Sequence, residues 1–249
     1  MKASKLKWIL GFLSLSCLAA LFFMERVPQD IEYHLFVDNE VLLNISNFHN
    51  VISNLPFLIV AILGFSFLIK NGHYFTKEEG AMSWTLVSGI ALIGFGSAFY
   101  HYNPSNFSLI WDRIPMTIVF ASLFSLILYD LIEPTVGWKV FAVFLPFGIM
   151  SVVYWWISES LGFGDLRPYI FVQFFPMMAI PLMLILTKNK SNLRPLILMT
   201  LFYFLAKYFE QNDSLFMDLI SYSGHSLKHL CAALAVYFSV SYLKNRIKV

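Results

Sequence analysis

The sequence predicts an all-α protein, a polytopic membrane helix bundle with a seven-helix core and one extra N-terminal helix. Three observations carry that expectation. Of 249 residues, 58% are hydrophobic and only 13% charged, whereas soluble domains carry roughly 25% charged residues. Apolar stretches approaching the ~20 residues that cross a bilayer recur along the whole chain. The basic residues also sort by side. If the N-terminus is cytoplasmic, Arg26, Arg113, Arg167, Lys207 and Lys228 fall outside and the other twelve of the 17 Lys and Arg inside, the asymmetry of the positive-inside rule. The net charge of +2 is dispersed over short loops, which argues against nucleic acid as a partner.

The first apolar run, 8–24, follows Lys2, Lys5 and Lys7. Signal anchors and signal peptides share that pattern; the reading adopted is a retained signal-anchor helix. Residues 1–30 then comprise this helix and the start of an acidic loop, and 31–249 a seven-transmembrane domain with both termini cytoplasmic. The stretch 25–47 sets Asp30, Glu32, Asp38 and Glu40 against Arg26 alone. Seven more segments follow at about 50–70, 81–101, 114–131, 137–157, 168–187, 194–209 and 223–243, of which 194–209 is the shortest. Pro115, Pro168 and Pro195 stand at expected helix starts, where a missing amide hydrogen costs nothing. Pro146, Pro176 and Pro181 fall inside segments and predict kinks. Cys17 and Cys231 lie in apolar segments and read as small hydrophobes.

The chemistry concentrates at helix ends. His225 and His229 stand one helical turn apart on one face, within reach of a single ion. His101 closes the segment 81–101, Ser97 precedes it by one turn, and Asp112 follows where the next segment begins. In the predicted topology all of these fall at the external ends of their helices, where ionisable side chains are functional suspects. Three imidazoles with one open position suit a catalytic zinc, which is preferred over iron or copper because no thiolate or thioether is placed to help. Asp112 can then relay a proton and Ser97 can donate to a developing oxyanion. Plainer roles compete with these: Asp112 as an N-cap for a helix opened by Pro115, and Ser97 as a small packing residue beside Gly94 and Gly96. His34, His49 and His73 read as hydrogen-bonded interfacial residues.

Three motifs in order, the run 96–101 (GSAFYH), the run 112–116 (DRIPM) and the run 225–229 (HSLKH), resemble the alkaline ceramidase family, within a wider set of seven-helix membrane hydrolases that includes the adiponectin-type receptors. The runs 47–56 and 164–169 are similar to the start of that family's first core helix and to a loop of its bacterial members. The resemblance implies that His101, His225 and His229 bind zinc, that Asp112 relays protons and that Ser97 supports the site. It implies cleavage of a ceramide-like lipid amide to a long-chain amine and a fatty acid. A non-catalytic zinc-containing receptor or lipid-binding protein of the same fold is the alternative. It also implies a calcium site, for which Asp30, Glu32, Asp38 and Glu40 are the candidate ligands. Here the sequence departs from the eukaryotic pattern, with neutral Asn47 near the position of a glutamate.

Overall fold

The computed structural model describes residues 3–187 and 193–247, which form helices joined by short loops, with no β-strand among them. The helices are α1 (Ala3–Phe23), α2 (Phe48–Ile52), α3 (Leu55–Asn71), α4 (Lys77–Tyr102), α5 (Asn106–Leu131), α6 (Pro134–Ser160), α7 (Arg167–Leu186), α8 (Arg194–Gln211), α9 (Asp213–Ile220) and α10 (Gly224–Ile247). Lys2, Lys188, Lys190 and Lys248, counted above with the inner set, lie outside the described residues. Among those described, α1, α2 with α3, α4, α5, α6, α7 and α10 are long and apolar enough to cross a bilayer. The chain is a multi-pass membrane helix bundle.

The eighth long helix, α8, carries Arg194, Lys207 and Glu210 within 18 residues, more charge than a lipid-facing helix tolerates. It joins the bundle by packing along α10, burying Leu196, Met199 and Ala206. Elsewhere α4 packs between α3 and α5, α5 also meets α6 and α7, and α1 lies on α7.

Local chemistry explains where the helices begin. Thr76 and Glu79 form a reciprocal capping box at α4, with Glu79 N donating to Thr76 Oγ1 at 3.2 Å and Thr76 N to Glu79 Oε2 at 2.8 Å. Pro168 and Pro195 sit in the first turns of α7 and α8, as expected. Pro115 does not open its helix. Ser105 caps α5 by accepting from Ser108 N at 3.1 Å, so the helix starts eight residues earlier than expected and Pro115 lies inside it. Asp112 is therefore in the second turn and is no N-cap.

An interior proline supplies no hydrogen to the carbonyl four residues back, here that of Trp111. That oxygen faces Gly96 of α4, where a methyl group would sit only 1.9 Å from it. The absence of a side chain at Gly96 lets the two backbones touch, with the Gly96 Cα hydrogens directed at the oxygen. Ser97 and Asp112 are thereby brought face to face.

The two ends of the bundle are closed differently. At the end away from the candidate site, Arg246 of α10 pairs with Glu79 of α4 and, at 2.8 Å, with Asp130 of α5, while the Tyr242 hydroxyl donates to Asp130. At the opposite end the segment between α1 and α2 lies across the helix termini. Leu166 N donates to Val27 O at 2.8 Å, and Arg113 Nη2 to Gln29 Oε1 at 2.7 Å. The end of α1 is held by Arg167, whose Nη1 donates to the carbonyls of Leu21 at 3.2 Å and Met24 at 2.6 Å. The same guanidinium forks onto Asp165 at 2.8 and 2.7 Å and holds that carboxyl below its ordinary value.

Candidate metal centre

Two helix termini deliver the three histidines. His101 is the penultimate residue of α4 and His225 the second of α10, with His229 one turn further on. Gly224 lets α10 begin where it does, since a methyl there would lie 2.5 Å from the Phe209 carbonyl. The turn is fixed by Ser223, which accepts from His225 N at 3.0 Å, and by Asp213, which accepts from Ser223 Oγ at 2.6 Å and from His225 N at 3.0 Å. A carboxylate here also suits the positive end of α10.

The rings form a near-equilateral triangle, with centroids 4.8, 4.8 and 4.9 Å apart. All three are buried, and one nitrogen from each lies within 4.8 Å of the others. His101 Nε2 and His225 Nε2 are 3.3 Å apart. Two nitrogens on one tetrahedral metal, each at 2.0–2.1 Å, would be separated by about 3.3–3.4 Å. Ring tautomers follow from the neighbours. Ser53 Oγ gives its hydrogen to Asn50 O at 3.0 Å and so accepts from His229 Nδ1 at 2.8 Å. This leaves the lone pair on His229 Nε2, which is buried with no protein partner. Lys228 Nζ, a donor only, lies 3.2 Å from His225 Nε2 and assigns a lone pair there as well. Ring nitrogens converging from three buried imidazoles, with the His229 Nε2 lone pair unpartnered, are what a metal ion needs, and the second nitrogen of His229 is anchored as metal-bound histidines usually are.

Ser97 and Asp112 are 3% and 7% exposed, and the Ser97 side chain lies beside the Asp112 carboxylate. Both line a cavity with His229 and Lys228; the remaining wall is mainly apolar, including Met116, Phe120, Ile180, Met199 and Val236. It encloses about 980 Å³, counted with the open space at its mouth. From His229 to Ser239 its wall runs along ten residues of α10, roughly 15 Å of helix. Phe36 covers the histidines from outside, its ring centroid 4.6 Å from that of His101 and 5.5 Å from that of His225.

Ser97, His101, Asp112, His225 and His229 are thus brought to one end of the bundle. The acidic residues of the segment before α2 are not gathered in the same way. Asp30 accepts from Glu32 N at 2.9 Å, Asp38 from Asn50 N at 2.9 Å, and Glu40 pairs with His49 at 3.0 Å. Their oxygens serve as caps and partners, and among the described residues the histidines are the one group of three such ligands. The expected calcium ligand set does not assemble. His34, as expected, is hydrogen-bonded, to Tyr100 and Asn106 at 3.0 Å each. The Tyr100 hydroxyl donates to Tyr33 O at 3.2 Å, and burial raises the Tyr222 phenol above its ordinary value, so neither phenol is poised as a base.

Sequence reasoning missed Ser53, Asp213 and Glu210. Glu210 lies between Lys228 at 2.8 Å and Lys207 at 2.6 Å, three charges whose side chains are about one-fifth exposed. The signal for Ser53 was present: Asn50, Ser53 and Asn54 are polar residues at the mouth of an apolar helix. Comparison with protein-family models and with curated proteins finds no match. Fold and site therefore define the class on their own terms, a multi-pass helical membrane protein with a buried three-histidine group able to take a metal ion.

Proposed function

We propose that the chain is a zinc-dependent intramembrane hydrolase of lipid amides, of the kind its ceramidase-like motifs suggest. One observation carries the reading: the neighbouring Ser97 and Asp112 share a mainly apolar cavity with His229 of the histidine group. His101, His225 and His229 would hold the metal, taken as zinc because among the described residues no thiolate or thioether is placed beside them. Bound there, zinc supplies Lewis acidity and lowers the pKa of a bound water to about 7.

Asp112 accepts the proton of the attacking water and passes it to the leaving amine. Ser97, beside Asp112, orients the carboxylate. The donor left for the oxyanion is Lys228 Nζ, at the polar end of the cavity and kept cationic by Glu210. The substrate is a single-headed amphiphile with its amide at the polar end and an acyl chain along α10, over about one leaflet's depth. Both termini are cytoplasmic and the site faces outward. Reporter fusions after Lys77 and Lys139 should read inside, and those near Asn106, Glu159 and Asp213 outside.

The deciding experiment combines metal analysis of purified protein with release of fatty acid from ceramides and simpler amides. One zinc per chain is expected, lost in His225→Ala and His229→Ala. Asp112→Asn should keep the zinc and lose about 10²- to 10⁴-fold in turnover. Zinc and lipid binding without hydrolysis of any amide offered would replace this reading with a non-catalytic receptor. Full activity in Asp112→Asn would remove Asp112 from the mechanism.

A further inference from the structure

A second cavity lies away from the histidines, between α1 and the face made by α5, α6 and α7. It is larger, about 1210 Å³ counted with its open side. From α1 come Lys7, Leu10, Gly11, Ser14 and Leu18, a single stripe at helical spacing. The opposite wall is aromatic: Phe124, Phe144, Phe147, Phe171 and Phe175 stack on one another with centroids 5.0 to 6.4 Å apart. Such a wall is rigid and wholly apolar. The stripe from Lys7 to Leu18 spans twelve residues, roughly 16 Å of helix, close to half of a ~30 Å hydrocarbon core. The groove is therefore one leaflet deep.

Its polar features are concentrated at one end. Lys7 of α1 and Lys139 of α6 both line it, and both stand near the helix ends on the side away from the histidines. Neither takes part in an ion pair among the described residues, whereas Arg167, Lys207, Lys228 and Arg246 all do. Two ammonium groups from different helices, neither in an ion pair among the described residues, cap an apolar slot between helices of membrane-spanning length. Only a molecule already in the membrane reaches such a slot, and the uncompensated charge selects among them.

We propose that this groove holds one anionic glycerophospholipid, its acyl chain along the aromatic wall and its phosphate on Lys7 and Lys139. Cationic pockets between membrane helices select acidic headgroups, and each lysine near the surface contributes about fivefold in binding. The lipid would fill the space between α1 and the core and join the first helix to the remainder of the bundle. This site is independent of the hydrolytic reading.

The test uses the full chain reconstituted in nanodiscs with equal amounts of phosphatidylglycerol and phosphatidylcholine of identical chains, then released for native mass spectrometry. One phosphatidylglycerol per chain is expected, retained about 25-fold over phosphatidylcholine. Lys7→Gln with Lys139→Gln should reduce that preference by about 25-fold, to near parity. Gly11→Leu keeps both charges and adds a side chain where no atom lies within 4 Å. It should fold normally and lose retained lipid of both kinds. Equal retention of the two lipids by the wild type, preference surviving in the double lysine variant, or full occupancy in Gly11→Leu would each overturn the proposal.

Discussion

Replacing Gly96 by alanine tests the contact on which the α4–α5 geometry depends. The added methyl would lie 1.9 Å from the Trp111 carbonyl oxygen, whereas ordinary contact begins near 3.4 Å. The helices must therefore part by about 1.5 Å, because the obstacle is backbone and cannot rotate aside. Overpacking of this kind costs about 1–3 kcal/mol, and a backbone-to-backbone clash belongs at the upper end. Alanine recovers about 1 kcal/mol in helix propensity, so the net loss is about 2 kcal/mol. At roughly 2–4 °C per kcal/mol for a chain of this size, the melting point should fall by about 4–8 °C in a detergent thermal-shift assay. Gly80→Ala is the control. It lies on the same helix with no atom within 4 Å of its added methyl, and should be neutral or slightly stabilising. Ser97 and Asp112 also separate in Gly96→Ala, so turnover should fall more than zinc content. A Gly96→Ala protein melting within about 1 °C of wild type, or one no less stable than Gly80→Ala, would refute the close approach.

Three further outcomes are expected. Ser53→Ala removes the acceptor for His229 Nδ1 at 2.8 Å and should weaken zinc binding about 10- to 100-fold, measured by chelator competition. Glu210→Gln leaves Lys228 uncompensated beside His225. Since unit charges 4 Å apart interact by about 4 kcal/mol at an effective dielectric of 20, zinc affinity should fall at least about tenfold, and Lys228→Met should restore it in the double variant. Because Arg167 depresses the Asp165 carboxyl, the stabilisation it contributes is complete above the unfolded value near pH 3.9 and is lost only as pH falls through the lower folded value. Protease sensitivity of the 24–28 linker should then match between pH 5 and pH 8 and rise in Asp165→Asn, which keeps no charge for Arg167.

Helix positions were legible where a long apolar run did the work, and the histidine pair was legible because i and i+4 share a face. Errors arose where tertiary contact overrode a local rule. Pro115 read as a helix opener because an interior proline is normally expelled; the paired glycine that absorbs its freed carbonyl is 19 residues away in sequence and gives no local sign. The eight-residue α9 is too short to stand out. Ser53 reaches His229 across 176 residues, a contact that no spacing rule encodes. The ion pair of Lys228 with Glu210 gave no sign in the sequence because the two residues lie on different helices.

The charged knot of Arg246, Glu79, Asp130 and Tyr242 ties together α4, α5 and α10, the three helices that carry His101 with Ser97, Asp112, and the other two histidines. Measured along the helices, those side chains stand about 25–33 Å from the knot. A helix tilt of one degree about the knot displaces a group at that distance by about half an ångström, the tolerance within which such sites must be held. The alignment of the histidine end is therefore an angular problem as well as a local one, set by the knot at the far side of the bilayer together with the contacts of Ser53, Ser223 and Asp213 beside the rings.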